Sequence, residues 1–184
     1  MSALKHAGLV WIGTLSAAAL AFATQIMLAR HFETRIFGEI SNAYVIAVLV
    51  ATFGFQGVAD VMLRYQGRVS LGRITVACAW LVVIGLVAAI IWILLEGNQE
   101  QDIGILLAFI PFVIIQGLLF AGMTTFQLRG NYKAIATWPV IQHAGRLLVV
   151  IGVVLLGTSA LSVPIAWSVI LLPVGIYGVV KLCE

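Results

Sequence analysis

Six long apolar runs decide what this chain can fold into. They lie at approximately 7–29, 40–63, 74–95, 103–128, 134–156 and 161–182, with short polar joints between them. Each run holds roughly 22–26 residues, and about 20 apolar residues in a helix cross the hydrocarbon core of a bilayer. Backbone polar groups find no water there, so runs of this length read as spanning helices and not as strands of a barrel. Composition agrees: 62% of residues are hydrophobic and 9% charged, with a mean hydropathy of +1.14. A soluble domain carries about 25% charged residues. The expected fold is all-α, a polytopic membrane protein with six transmembrane helices in a single domain over residues 1–184.

The positive-inside rule orients the helices. Lys5, Arg64, Arg68, Arg73, Arg129, Lys133 and Lys181 fall on one side, and only Arg30 and Arg35 on the other. Both termini are therefore expected in the cytoplasm of a cell whose inner membrane holds the protein. Tyr65 and Tyr132 fall at the inner interface and Trp92 near the outer one, as an aromatic belt requires. The start, with Lys5 and Ala17-Ala18-Ala19, has features of a cleavable signal. Its apolar character continues to Leu28, which fits a retained first span. Cys78 and Cys183 form no metal pattern and no expected disulfide. The net charge of +3 is an orientation signal, and no dense basic run suits nucleic acid.

Arg146 is the outstanding residue. It lies about 15–18 Å from either end of the fifth run, at about 1.5 Å per residue. A guanidinium at that depth costs from about 2.5 to more than 10 kcal/mol unless it faces a cavity or a partner. Gln142, His143 and Pro139 share its helix face within roughly 100°. Either Arg146 pairs with an acid on a neighbouring helix and fixes packing, or it serves a ligand.

Other polar residues are candidates beside it. In the first run Thr14, Ala17, Ala18, Ala21 and Gln25 share a small-residue face, which lets backbones approach. Gln25 there reads as an interhelical hydrogen bonder or a cavity residue. In the second run Asn42, Phe53, Gln56, Asp60 and Arg64 form a stripe expected to face protein or a wet cavity, opposite a seam of Ala43, Ala47, Ala51 and Gly54. Asp60 and Arg64 are spaced for an ion pair, acid first. They form either a snorkelling bridge or a cytoplasmic gate. The third run is almost wholly apolar and is expected to face lipid. In the fourth, Phe109, Phe112, Gln116, Phe120, Met123 and Gln127 share a face that suits an amphiphilic ligand or ordinary packing. Pro139 and Pro173 are expected to kink their helices. No GxxxG occurs, so no single dimer seam is advertised.

Chemistry is not evident. The sequence has no phosphate-binding Gly-Lys-Ser/Thr loop and no His-Glu-x-x-His. Gly157-Thr158-Ser159-Ala160 lies in a joint, and His143 precedes that serine, unlike a membrane serine protease. The acids are scattered. Neither an enzyme nor a cofactor or metal is expected.

Certain stretches carry a family resemblance. Leu28-Ala29-Arg30-His31-Phe32, Phe37-Gly38, Phe53-Gly54-Phe55 and Leu63-Arg64-Tyr65 resemble the opening of polysaccharide and O-antigen flippases of the multidrug/oligosaccharidyl-lipid/polysaccharide superfamily. Gln127-Leu128-Arg129-Gly130-Asn131-Tyr132-Lys133 also fits, and the resemblance spans all six runs. It implies one six-helix lobe, the N-terminal one, of a two-lobe transporter that moves lipid-pyrophosphate-linked oligosaccharide between leaflets by alternating access. It implies a second lobe as partner, from a longer chain or from a second copy, and membrane lipid as surroundings. Within it, Arg146 gains a pyrophosphate to bind by forked hydrogen bonds, with His143, Gln142 and Gln116 around the substrate. The drug-exporting branch often keeps an acid in its first helix. None is present here, which favours the polysaccharide branch. The alternatives are a cation-coupled multidrug exporter, in which Asp60 titrates, and a non-transporting membrane scaffold.

Overall fold

Apolar runs that must satisfy their own backbone groups become helices, and the described residues take that solution. The computed structural model describes residues 3–56, 63, 64, 80, 83, 84, 87 and 103–183. Among them are helices α1 (Ala3–His31), α2 (Thr34–Ala51), α3 (Ile103–Ala108), α4 (Ile110–Leu128), α5 (Tyr132–Leu156) and α6 (Ser162–Cys183), and no strand. Among the described residues, five segments are long and apolar enough to cross a membrane: α1, α2 with its extension, α3–α4 together, α5 and α6. The third apolar run lies largely outside the described residues. Trp80, Val83, Ile84 and Val87 within it are helical and exposed.

Helix ends depart from the hydropathy edges. The second helix begins at Thr34, not near residue 40, and the joint shrinks to Phe32 and Glu33. Charged residues at an interface do not stop a helix when they can pair along it. Arg35 Nε donates to Glu39 Oε1 at 3.2 Å, four residues on. At its other end α2 gives way to a π-helical turn, Thr52–Gln56. Such turns displace the following face of a helix. Here the turn lies beside the contact of the Phe55 ring with Gly117 of α4, where any side chain at 117 would collide with it.

The prolines act differently from one another. Pro111 sits at the start of α4 and has no N–H, and the span breaks at Phe109, whose N–H turns back to Leu106 O at 3.0 Å. Pro139 and Pro173 lie inside α5 and α6, which continue through them. The α4–α5 joint is closed by Gly130 in the left-handed region (φ 61°) and by Asn131, whose side chain accepts from Ala134 N–H at 3.1 Å.

Small residues set the helix crossings. Gly13 of α1 lies against the backbone of Ala136 on α5, leaving no room for a Cβ. Gly122 of α4 and Gly178 of α6 cross so closely that a Cβ on Gly178 would stand 2.7 Å from Gly122 Cα. The Trp138 ring of α5 flanks that crossing, and its indole N–H donates to Leu119 O at 3.0 Å. The buried stripe of α1 is Gly13, Ala17, Thr24 and Leu28, next to the expected one; Thr14 and Ala18 are exposed. On α2 the small seam of Ala43, Ala47, Ala51 and Gly54 is buried, whereas Asn42 and Phe53 are exposed. Asn42 and Phe53 therefore face away from the described bundle, because the small side chains let α2 settle on α4 through the opposite face.

One end of the bundle gathers cations. His6 of α1 stacks on Tyr132 at 4.4 Å, and Arg129 Nη2 donates to Lys181 O at 2.6 Å. These contacts bring the start of α1, the α4–α5 joint and the end of α6 together, and with them Lys5, Arg129, Lys133 and Lys181.

Candidate functional site

Arg146 is 5% exposed, and α2, α4 and α6 converge on it. Its Nη1 donates to the Tyr44 hydroxyl of α2 at 2.8 Å, and its Nη2 to Gln116 Oε1 of α4 at 2.7 Å. The guanidinium carbon lies 5.0 Å from the Phe112 ring centroid and 5.7 Å from that of Tyr44. From α6, the Trp167 indole N–H donates to the Arg146 carbonyl at 3.1 Å. Tyr44, Phe109, Phe112 and Trp167 form a four-ring cluster in which every pair of centroids is within 6.3 Å.

Helical phase explains this convergence. Phe109, Phe112 and Gln116 recur at three and four residues, so they share one face. The first turn of α4 points its aromatics at α6, and Gln116 follows one turn deeper, level with Arg146. Tyr44 belongs to the buried side of α2, next to Ala43 and Ala47.

The charge in this knot has no ionic partner among the described residues. Glu33 and Glu39 are the described carboxylates, both near the start of α2, and Glu39 is engaged by Arg35. Hydrogen bonds to a charged group contribute about 1.5–3 kcal/mol each, and a desolvated ring face about 2 kcal/mol. Two of each offset the several kcal/mol that burying an ion costs. Arg146 Nε is nevertheless buried without a partner among the described residues. The guanidinium is held by neutral groups, and one of its three nitrogens donates to none of the described residues.

The remaining candidates are placed as follows. Gln142 and His143, on the preceding turn of α5, are half-buried and make no side-chain hydrogen bond to a described residue. Gln25 is half-buried and likewise unbonded, so its expected interhelical bond is absent among the described residues. Arg64 is helical and exposed. Asp60 lies outside the described residues, as does the side chain of Gln56, so the Asp60–Arg64 pairing does too. Gln116 is brought to Arg146 directly.

Sequence reasoning missed Tyr44 and Trp167. The available signal was their polar tips: a buried Tyr hydroxyl or Trp N–H finds a partner, and both lie within apolar runs. It also missed Gly13, whose four-residue spacing to Ala17 marks a close helix approach.

Fold and site together define a multi-pass helical membrane protein with a cation buried among its spanning helices. Comparison with known proteins finds no matching family model, no matching curated protein and no matching solved structure.

Proposed function

We propose that this chain is a six-helix lobe of a flippase-type transporter. It would move lipid-pyrophosphate-linked oligosaccharide across the cytoplasmic membrane for polysaccharide assembly, with both termini in the cytoplasm. The observation that carries the reading is the guanidinium of Arg146, which among the described residues has no carboxylate partner, no acceptor at Nε and neutral acceptors on both terminal nitrogens. A carboxylate would bind that cation permanently. A tyrosine hydroxyl and a glutamine carbonyl hold it more weakly and can yield to a pyrophosphate, which a guanidinium binds by two parallel charged bonds. The described arrangement is then the closed one, and access needs α2 and α4 to part around Tyr44 and Gln116. Exposed Asn42 supports the reading too, since a polar residue on the outer face of a spanning helix calls for a wet cavity or a second lobe.

Replacing Arg146 with Ala or Lys in the complete transporter tests this. Glycan export should stop in both variants while the protein remains in the membrane, because an ammonium does not reproduce the fork. Full export by either variant contradicts the proposal.

The closure of the aromatic knot favours a second reading, in which Arg146 only ties α2, α4, α5 and α6 together in a membrane scaffold. That reading expects loss of folded protein in the Arg146 variants, not loss of export by a folded one.

A further inference from the structure

A cleft of about 530 Å³ opens between α5 and α6 at the cation-rich end, away from Arg146. We propose that it is a binding site for an anionic membrane phospholipid, independent of any transport substrate. Its walls are Phe126, Trp138, Ile141, Pro173, Val174 and Tyr177, an apolar lining suited to acyl chain. Its volume lies within the roughly 300–1,000 Å³ of sites that enclose a small ligand.

The polar groups are confined to the mouth. Thr137 and Tyr177 line the cleft, and Lys133 and Lys181 lie four residues from them along α5 and α6, toward the same end. Residues at that spacing share a helix face, so both lysines stand beyond the lining. Arg129 reaches from the α4–α5 joint to the carbonyl of Lys181, which holds its charge at the end of α6. Asn131 lines the mouth, and its Oδ1 is used by Ala134 N–H. The amide NH2 remains to donate, beside the partial positive charge of the α5 N-terminus. The described carboxylates, Glu33 and Glu39, are at the start of α2, near the opposite end. An apolar slot with a cationic rim at a membrane interface matches a lipid with an anionic head group. A zwitterionic lipid would bring its own ammonium against these cations.

Native mass spectrometry of the protein released from bilayers of equal phosphatidylglycerol and phosphatidylethanolamine tests this. The wild type should retain phosphatidylglycerol in preference. Each cation near a membrane surface is worth roughly fivefold in affinity for anionic lipid, so Arg129→Ala with Lys133→Ala should lower the preference about 25-fold. Lys133→Ala alone, which leaves the Arg129 tether intact, should lower it roughly fivefold. Ile141→Trp, which fills the cleft at an exposed wall residue, should abolish retention of both lipids. Equal retention of the two lipids by the wild type overturns the proposal, as does an unchanged preference in Lys133→Ala or retained lipid in Ile141→Trp.

Discussion

Arg146 on α5 donates from Nη2 to Gln116 Oε1 on α4, 2.7 Å away, and both side chains are buried. A cation in the interior of a spanning bundle thus leans on an amide where a carboxylate of nearly the same shape would fit. Gln116→Glu should supply a counter-charge that no described residue provides. Because the guanidinium is already desolvated, the new pair should raise the midpoint of thermal unfolding in detergent. The same change should occupy Arg146 and remove binding of pyrophosphate-bearing lipid. A stabilised variant that still binds such a lipid would contradict the idea that Arg146 is kept free for an anion.

Tyr44→Phe leaves the ring in the aromatic cluster but removes the acceptor at 2.8 Å from Nη1. A second nitrogen of the buried guanidinium then has no partner. The expected loss of stability is about 1–3 kcal/mol, read as a lower unfolding midpoint with unchanged helix content. Tyr44→Leu also removes the ring face and should cost more.

Two glycines in spanning helices should respond in opposite directions. A Cβ on Gly178 meets Gly122 Cα at 2.7 Å and the Trp138 ring at 3.1 Å, so Gly178→Ala should destabilise by about 1–3 kcal/mol as α4 and α6 separate. Nothing lies within 4 Å of the corresponding position on Gly152 in α5. Gly152→Ala should therefore stabilise, by roughly 0.5–1 kcal/mol through helix propensity. Unfolding curves of both variants in one detergent check the pair.

These contrasts show what was legible in the sequence. The helices and the oddity of Arg146 were, because a long apolar run and a charge within it need no knowledge of neighbours. Gln116 was singled out for the face it shares with Phe109 and Phe112. Its meeting with Arg146 was not legible, since that depends on how two helices are rotated against each other. Hydropathy also hides Tyr44 and Trp167, which count as aromatic bulk until their polar tips are seen to meet Arg146. Helix edges were misplaced at Thr34, where an Arg35–Glu39 pair lets the helix outrun its apolar stretch. At Pro111 a proline that opens α4 breaks the span, whereas Pro139 and Pro173 do not interrupt α5 and α6.

Orientation can be read directly. With Cys78 and Cys183 replaced by Ser, Lys133→Cys should be shielded in intact cells from a membrane-impermeant thiol reagent. Ser159→Cys, in the joint at the opposite end of α5, should be labelled. The reverse pattern would invert the proposed topology.

Isothermal titration of the detergent-solubilised protein with polyprenyl pyrophosphate, set against the neutral polyprenol, addresses the role of Arg146 most directly. Saturable binding of the pyrophosphate alone is expected, weakened at least about tenfold in Arg146→Lys because the forked contact is lost. Equal binding of both lipids, or an unchanged affinity in a folded Arg146→Lys variant, would contradict an anion-binding role for the buried guanidinium.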